Sequence, residues 1–518
     1  MSKKQPKILL CLFSLILASF ATVYFLESVP DAFPIDDAYI HLTYARNFAQ
    51  GQGFSFNPGE KSFGSSSPFW VLLLSALVKF LEPHLLVRLV SFFCLWLTLF
   101  LSMLIIYQGI SDSHLNYIYK ILLSLIPALF LSGSGNFLWI SYCGMETGLW
   151  TLLSLAGVYF LIREKPNWVG YILLGLVMLC RLEAVLLWGL VIVWQVYYLK
   201  DWRRIFGGGL IALLIPFSFH LWADFELGSF FPNTRAGKLA SNLFNSGLSL
   251  KGGLVFLARH LKYLWLTQPE VLTIMILVMA ILILFGAVKK ERRHWIGAIG
   301  VLSFFALGVF IYHSQFFRST ELITPYHNFR YQVLFFPAIG LGLGKAFQIL
   351  FIFYKKGWTK LLVGAIIAII LCTGFYRIRL WKELFLNQSI HIFDVHQRTA
   401  KWCELALPVS ARVACFDIGS LGFYSGRYVI ELGGLVDPEL HQYLEKGAVG
   451  EYLKEKRASH YIELGTPGSE RILGVRKDKG RLYELVPIGY FSGQRIREPV
   501  LIHSWEMKVF EIKWLDNN

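Results

Sequence analysis

"ILLCLFSLILASFATVYFL", residues 8–26, is an unbroken apolar run of 19 residues near the start of the chain. A helix of that length crosses roughly 30 Å of hydrocarbon. A similar run, "VLTIMILVMAILILFGAV", covers residues 271–288. Of the 518 residues, 55% are hydrophobic and 16% are charged, and the mean hydropathy is +0.52. Soluble proteins carry about 25% charged residues, so the sequence predicts a polytopic α-helical membrane protein.

The positive net charge, +15, indicates a membrane topology rather than a nucleic-acid partner. The first run is too long for a signal peptide and lacks a cleavage site, so we expect an uncleaved first span with a cytoplasmic N-terminus. About eleven spans then place every dense basic cluster on the cytoplasmic side. These clusters are "REKPNW" (163–168), "KDWRR" (200–204), "KKERRH" (289–294) and "KKGWTK" (355–360). The apolar stretch 67–80 becomes a short interfacial or re-entrant helix inside a large outer loop, residues 27–87.

Two domains follow from this count. Residues 1–376 form a transmembrane module, whose later spans we expect near 89–108, 118–134, 147–162, 169–181, 184–199, 205–223, 270–288, 295–313, 331–353 and 361–376. Residues 377–518 form a soluble α/β or α+β domain on the extracytoplasmic side. Its predicted helix is "HQRTAKWCELAL", its Gly-rich turn is "GSLGFYSG", and its predicted strands are "ARVACFDI", "RYVIEL", "SHYIELG", "RLYELVPI" and "KVFEIKWL". The seven cysteines lack metal-ligand spacing, although Cys403 and Cys415 lie outside the spans and could pair.

The most unusual polar motif is "PIDDAYIHLTYARNFAQGQGFSFNPGE", residues 34–60, in the first outer loop. It opens with adjacent acids, Asp36 and Asp37, and its apolar spacing predicts a helix that stops at Gly51. One acid could cap this helix and the other could favour its dipole. A pair is more than a cap needs. The alternative is that one Asp removes a proton from an acceptor hydroxyl while its neighbour orients it or binds a cation.

Further polar motifs fall on the same predicted outer face. "CGMETG" contains Glu146 and "RLEA" contains Arg181 and Glu183 at the tip of a helical hairpin. "FPNTRAGK" contains Asn233, Thr234, Arg235 and Lys238, and "YHNFRYQ" contains His327 and Arg330.

Each motif also has a structural interpretation. Glu146 could be a first-turn acid, Arg181 and Glu183 could cap each other or extend to the membrane interface, "FPNTRAGK" could be a solvated turn, and "YHNFRYQ" could supply a basic residue at the membrane interface. Together they place cations and acids where an anionic lipid-linked substrate would lie. The candidate substrate-binding residues are Arg46, Glu146, Arg181, Glu183, Asn233, Thr234, Arg235, Lys238, His327 and Arg330.

These motifs, in this order, resemble the GT-C superfamily of glycosyltransferases, which take sugars from polyprenyl-phosphate donors. The motif "DDAYIHLTYARNFAQGQGFSFNPGE…GSSSPFW" is most similar to the corresponding motif of a bacterial branch of this superfamily. That branch includes the mycobacterial terminal arabinofuranosyltransferase. "GMET", "RLEA", "PNT" and "DIGSLGFYSG…LGGLVDP" add weaker matches. The sequence departs from that branch at Thr43, where Arg is frequent, at "FGSSSP", and at Leu182, where Pro is usual.

The resemblance implies that an acceptor hydroxyl attacks the sugar of a polyprenyl-phospho-sugar, with Asp36 or Asp37 as the catalytic base. Arginines such as Arg181, Arg235 or Arg330 would hold the leaving polyprenyl phosphate. The acid pair is also a candidate site for a divalent cation (Mg, Mn or Ca), although the sequence shows no required cofactor. The expected partners are a polyprenyl-phosphate-sugar donor, a glycan or glycolipid acceptor and membrane lipids, without nucleic acid.

The predicted location is the bacterial cytoplasmic (inner) membrane, with the active site and the C-terminal domain in the periplasm or its equivalent. Two other classes compete with this interpretation. A transporter or flippase of a lipid-linked sugar would favour inverted repeats or broken spans in matched halves, and the sequence shows neither. A structural membrane scaffold would need no acidic pair.

Overall fold

The computed structural model of the chain describes most of its two ends and little of its middle. The described residues are 5–111, 113–162, 166–199, 201–233, 333–353, 357–465, 482–493 and 506–515, with the single residues Lys262, Gly300, Ser303, Arg330, Val475 and Gly480. The span predicted near 270–288 therefore lies outside the described residues, and only Gly300 and Ser303 are described in the span predicted near 295–313.

Helices dominate the N-terminal two fifths of the chain. They are α1 (Gln5–Leu26), α2 (Asp37–Ala49), α3 (Pro68–Leu77), α4 (Pro83–Ile110), α5 (Tyr117–Gly133), α6 (Gly135–Tyr142), α7 (Thr147–Leu161), α8 (Trp168–Cys180), α9 (Val185–Tyr198) and α10 (Trp202–Leu227). Two further long helices follow, α11 (Phe335–Phe353) and α12 (Gly357–His391). Helices α1, α4, α5, α7, α8, α9, α10 and α11 agree with predicted spans to within about six residues, because each is largely an apolar run. Helix α12 begins near the predicted start of the last span, 361, but continues 15 residues beyond its predicted end at 376.

Three of the described helices, α1, α4 and α10, are long and apolar enough to cross a membrane. A fourth span results if α5 and α6, which meet at a bend of 66°, are counted as one broken helix. Helices α3, α7, α8 and α9 are apolar but shorter, with α9 counted together with its preceding turn. The protein is therefore a membrane protein, while the count of about eleven spans stays a prediction.

The loop after α1 folds into two short helices, as the sequence indicates. Helix α2 begins at Asp37, whose charge suits the first turn, and is followed by Gly51 with a φ of +79°. Asp36 occupies the N-cap position, but its side chain makes no hydrogen bond to its own helix. Capping therefore does not explain Asp36. Helix α3 has only 10 residues and is about 15 Å long, too short to span a bilayer.

The C-terminal domain, defined here as residues 398–515, is built on a mixed five-stranded sheet. A π-helical turn (Ile392–Gln397) joins α12 to helix α13 (Arg398–Ala406). The sheet order is β2-β1-β3-β5-β4, with β1 parallel to β2 and β3, and β5 antiparallel to β3 and β4. The strands are β1 (Arg412–Cys415), β2 (Tyr428–Glu431), β3 (His460–Leu464), β4 (Tyr483–Ser492) and β5 (Glu506–Trp514). All five predicted strands are confirmed.

Two short helices, α15 (Leu440–Lys446) and α16 (Val449–Glu455), connect β2 to β3, and a third, α14 (Gly419–Tyr424), connects β1 to β2. The predicted Gly-rich turn "GSLGFYSG" was wrong, because six of its residues form α14. The predicted division at residue 376 falls inside α12, which is one continuous helix. All seven cysteines are free, so Cys403 and Cys415 form no disulfide.

Candidate active site

The two adjacent acids of the first loop have different surroundings. Asp36 is buried and accepts three hydrogen bonds from α14: from the Gly419 amide (2.6 Å), the Ser420 amide (2.8 Å) and the Ser420 hydroxyl (2.6 Å). Nδ1 of His396 lies 3.5 Å from the same carboxylate. Burial alone would raise the pKa of Asp36, but His396 and Ser420 outweigh it and lower the pKa to about 2. Asp36 is thus a charged group that joins α2 to the C-terminal domain.

Asp37 has a partner of a different kind, a guanidinium. Its side chain is 44% exposed, and Oδ2 lies 3.3 Å from Nη2 of Arg330, whose side chain is buried. The structure therefore brings Arg330, from the far end of the undescribed middle segment, to the first turn of α2. Of the two acids, Asp37 has the exposed side chain, whereas that of Asp36 is 3% exposed.

The "GMET" and "RLEA" motifs meet beside this turn. Gly144 has a φ of +87°, and a Cβ at that position would lie 2.6 Å from Cβ of Ala38, so only glycine allows the turn to pack on α2. Glu146 is fully buried and binds Nη1 of Arg181 at 2.7 Å. Arg181 also binds Glu183 at 2.8 Å. Two carboxylates thus surround one guanidinium at the hairpin tip.

His41 extends this network along α2, one turn after Asp37. Its Nε2 lies 3.8 Å from Oε2 of Glu146, and its Nδ1 lies 2.9 Å from the hydroxyl of Ser65 in the "GSSS" segment. Burial lowers the pKa of His41, against the opposing effect of Glu146. The neutral imidazole of His41 thus lies between the Ser65 hydroxyl and the Glu146 carboxylate. These contacts hold in place the face of α2 on which Asp37 also lies.

Replacing Glu146 by Gln is expected to lower the free energy of unfolding by about 1–3 kcal/mol, because a buried partner of Arg181 loses its charge. The measurement is the thermal unfolding midpoint of the protein purified in detergent. Glu183→Gln is the matched control: Glu183 binds the same guanidinium but its side chain is 17% exposed, so water can replace the lost interaction. Equal midpoints for wild type and Glu146→Gln would show that this network does not stabilise the fold.

Arg46 was a candidate substrate-binding residue, and the structure places it in the domain contact instead. Its guanidinium donates to the carbonyl oxygens of Phe423 (2.6 Å) and Gly422 (3.1 Å) and lies over the Phe423 ring. The last carbonyl groups of a helix have no hydrogen-bond partner within that helix. Arg46 binds two such carbonyls at the C-terminal end of α14. A substrate role for Arg46 remains a prediction without geometric support.

Of the remaining candidate residues, Asn233 is the one that the structure describes. The backbone amide of Asn233 donates to the carbonyl of Phe63 at 2.9 Å, which ties the end of α10 to the first loop. Thr234, Arg235, Lys238 and His327 lie outside the described residues.

The acid pair does not fit a metal ion held between Asp36 and Asp37. Both oxygens of Asp36 already accept hydrogen bonds from α14, and Asp37 points to Arg330. Within the described ranges, His, Cys, Asp and Glu side chains form no group of three or more with metal-binding geometry. The candidate divalent-cation site thus lacks a suitable donor set here.

Sequence reasoning missed three residues of this region: His396, Asp417 and Ser420. Asp417 is half-buried in the loop between β1 and α14 and lies within electrostatic range of Asp36, Asp37 and His396. The available signal was the motif "DIGSLGFYSG", which contains both Asp417 and Ser420. Its resemblance to a family motif gave no indication that it touches the acid pair.

Comparisons with known proteins bear on the fold. A family described as "Domain of unknown function (DUF8728)" matches residues 387–501. No curated protein is significantly similar in sequence. Among solved structures, ArnT from Cupriavidus metallidurans bound to undecaprenyl phosphate aligns with a TM-score of 0.57 and 13% identity over 98% of each chain. Its apo state gives 0.56 and 12% over 96% of this chain and 97% of that chain.

The chain has the GT-C fold. The arabinofuranosyltransferase AftD from Mycobacteria also aligns, with a TM-score of 0.50 and 12% identity, over 100% of this chain and 42% of AftD. At these identities the similarity is one of fold. The GT-C resemblance indicated by the motifs is therefore confirmed for the fold. The chemistry of this chain has to be argued from its own residues.

Proposed function

We propose that this GT-C protein is a membrane glycosyltransferase that uses a polyprenyl-phosphate-linked sugar. It transfers the sugar to a hydroxyl group of a cell-envelope glycan or glycolipid at the extracytoplasmic face of the cytoplasmic membrane. The fold supports this proposal, and so does the undecaprenyl phosphate bound to ArnT. The observation that carries it is the unequal environment of the acid pair, which leaves one carboxylate, Asp37, accessible beside a cation.

In the proposed reaction Asp37 is the general base. An acceptor oxygen forms a bond to the anomeric carbon of the donor sugar, and the bond between that carbon and the phosphate oxygen breaks. The bonding electron pair leaves with the polyprenyl phosphate, and the acceptor proton passes to the Asp37 carboxylate. Asp36 cannot share this role without breaking its contacts to α14. It acts as the docking residue of the pair.

Arg330 is the cation that we infer for the donor phosphate. It already lies against Asp37, so an anion that arrives at the base meets a guanidinium, which binds phosphate oxygens in a bidentate fashion. Arg181 is enclosed by Glu146 and Glu183, so its charge is compensated within the protein. Arg181 therefore contributes to the shape of the site more than to phosphate binding.

Replacing Arg330 by Lys is expected to raise the KM for the donor about tenfold with a smaller change in kcat, because the charge remains but one hydrogen bond of the fork is lost. Initial rates at varied donor concentration measure this. Arg88→Lys is the matched control, since Arg88 also pairs with an aspartate, Asp31, at 3.2 Å. A donor KM unchanged in Arg330→Lys would contradict the phosphate role.

The proposed function is tested with membranes from cells that contain or lack the protein. The membranes are incubated with radiolabelled polyprenyl-phospho-pentoses and polyprenyl-phospho-hexoses. The expected result is protein-dependent transfer of label to a glycan or glycolipid, with release of unlabelled polyprenyl phosphate. Label that changes membrane side without leaving the polyprenol would instead identify a flippase.

A further inference from the structure

A cluster of hydrogen-bonding side chains lies on the face of α2 opposite Asp37. Its central residue is Tyr39, which follows Asp37 by two residues and therefore lies about 200° further around the helix. Tyr39 is completely buried, and its backbone amide donates to the carbonyl oxygen of Asp36 at 3.0 Å. A shift of the Tyr39 side chain would therefore be transmitted to the turn of helix that carries both acids.

The hydroxyl group of Tyr39 receives two N–H donors. The Phe33 amide donates to it at 3.2 Å, and Nε2 of Gln397, in the π-helical turn, donates to it at 2.8 Å. A hydroxyl oxygen has two acceptor lone pairs and one proton, so the Tyr39 proton goes to a third partner. Two groups lie in reach of that proton: Nε2 of His84, 3.2 Å from the Tyr39 oxygen, and the hydroxyl group of Tyr424.

His84 is the final acceptor of this cluster. It lies in the first turn of α4, and its side chain is 5% exposed. Its Nδ1 lies 2.8 Å from Oε1 of Glu82, and a carboxylate only accepts hydrogen bonds, so Nδ1 carries the ring proton. Nε2 then keeps a lone pair, which faces the hydroxyl groups of Tyr39 and Tyr424 at 3.2 Å each. One imidazole thus joins α4 to α2 and to α14.

Protonation of His84 would remove the acceptor that both hydroxyl groups face. A charged imidazole carries a hydrogen on each nitrogen, so Nε2 could no longer accept from either tyrosine. The neutral ring is therefore the form that fits the observed hydrogen bonds. The titratable and charged groups that face this ring are Glu82 and Asp31 from the loops that precede α4, Arg88 from α4, Tyr39 from α2, and Tyr424 from α14.

We propose that His84 is a positioning residue of the transfer site, which in its neutral form holds Tyr39, and through it the first turn of α2, in the orientation that presents Asp37. The same imidazole binds Tyr424 of the C-terminal domain. His84 thus sets the orientation of the catalytic turn relative to that domain without touching the substrate. This inference rests on the proposed function.

The test compares His84→Gln with His84→Ala in the full-length protein, with a radiolabelled polyprenyl-phospho-sugar as donor and octyl glycosides as acceptor probes. The Gln side-chain oxygen can accept a hydrogen bond in place of Nε2, so we expect its kcat at pH 7.5 to stay within about threefold of wild type. His84→Ala removes the acceptor. Its kcat is expected to fall about tenfold, because the base is misplaced, while the donor KM stays unchanged.

His441→Gln is the matched control for these variants. His441 is a partly exposed histidine of the C-terminal domain, and its Nε2 lies 2.9 Å from the carbonyl oxygen of Gly434. It has no contact with the Tyr39 cluster among the described residues. Its kcat and donor KM should therefore equal those of wild type.

A double-mutant cycle separates positioning through Tyr39 from a general loss of stability. If His84 acts through Tyr39, the double variant His84→Ala/Tyr39→Phe should have the kcat of the slower single variant. Independent effects would multiply instead. Thermal unfolding of the same preparations shows that the compared proteins are folded.

The pH profile supplies a second measurement. The kcat of wild type is expected to fall as the pH decreases from about 7.5 to about 4.5, because His84 gains a proton; histidine has an unperturbed pKa of about 6.5. His84→Gln cannot be protonated in this range, so its kcat should stay nearly level. Identical profiles of wild type and His84→Gln would overturn the inference, and this comparison does not require His84→Ala to fold.

Two further results would overturn the inference alone, if Asp37→Asn is inactive in the same assay. One is a wild-type kcat for folded His84→Ala, and the other is multiplication of the His84→Ala and Tyr39→Phe effects. Full activity of Asp37→Asn would instead overturn the proposed base itself.

Discussion

Replacing Asp37 by Asn is expected to lower the rate of sugar transfer by about 10²–10⁴-fold, the usual contribution of a general base. The amide has nearly the same shape, yet it cannot take the acceptor proton. Because the Asp37 side chain is 44% exposed and Asn can still accept a hydrogen bond from Arg330, the unfolding midpoint should stay close to the wild-type value. The measurement is the initial rate of transfer from a labelled polyprenyl-phospho-sugar, with thermal unfolding followed on the same preparation.

Asp201→Asn provides a closely matched control for this variant. The Asp201 side chain is 49% exposed and also faces an arginine, Arg204, at 3.9 Å, but Asp201 is the N-cap residue of α10, in the basic segment "KDWRR" that the sequence predicts on the cytoplasmic side. Asn replaces Asp well at such a helix N-cap. Transfer should therefore be unchanged in Asp201→Asn. Equal rates in Asp37→Asn and Asp201→Asn would contradict the assignment of the base.

Replacing Asp36 by Ala is expected to lower the free energy of unfolding by about 3–5 kcal/mol, the typical cost of removing one partner from a buried charged contact. The Gly419 and Ser420 amides would lose their acceptor, and His396 would lose the carboxylate that lies 3.5 Å from its Nδ1. Thermal or denaturant unfolding in detergent measures the loss. Limited proteolysis of the C-terminal domain reports whether it still docks on the first loop.

Ser420→Ala is the control for Asp36, since it removes one hydroxyl donor and leaves both amides in place. It should cost only about 1 kcal/mol. Since the folded pKa of Asp36 is depressed to about 2, its stabilising effect is complete above pH 4 and fades as the pH falls towards 2. A wild-type midpoint for Asp36→Ala would show that Asp36 does not dock the domain.

The fold was largely predictable because its signals are local. Apolar runs of 13–28 residues in α1, α4, α8 and α10 identify membrane-embedded helices whatever they pack against. The five strands alternate or bury β-branched and aromatic residues, which is again a local property. Helix α14 was missed for the opposite reason. Its first amides are bound by Asp36, a residue 383 positions away, so the stretch alone reads as a turn.

The sequence was sufficient to locate the candidate site. It was not sufficient to assign different roles to Asp36 and Asp37. Asp36 and Asp37 are the same residue type, side by side, and either could be a base. What separates them are partners from distant parts of the chain: Ser420 for one and Arg330 for the other. Arg46 is a second example. A cation in this motif suggests a substrate-binding residue, and only the structure shows that Arg46 donates to backbone carbonyls of α14.

The most direct test uses the purified protein in liposomes that contain a radiolabelled polyprenyl-phospho-sugar, with a glycan acceptor outside. We predict that wild type forms a glycoside and polyprenyl phosphate in equal amounts, and that Asp37→Asn, folded as wild type, forms neither above background. Equal product from both proteins would contradict the account. So would movement of intact donor across the bilayer without any glycoside.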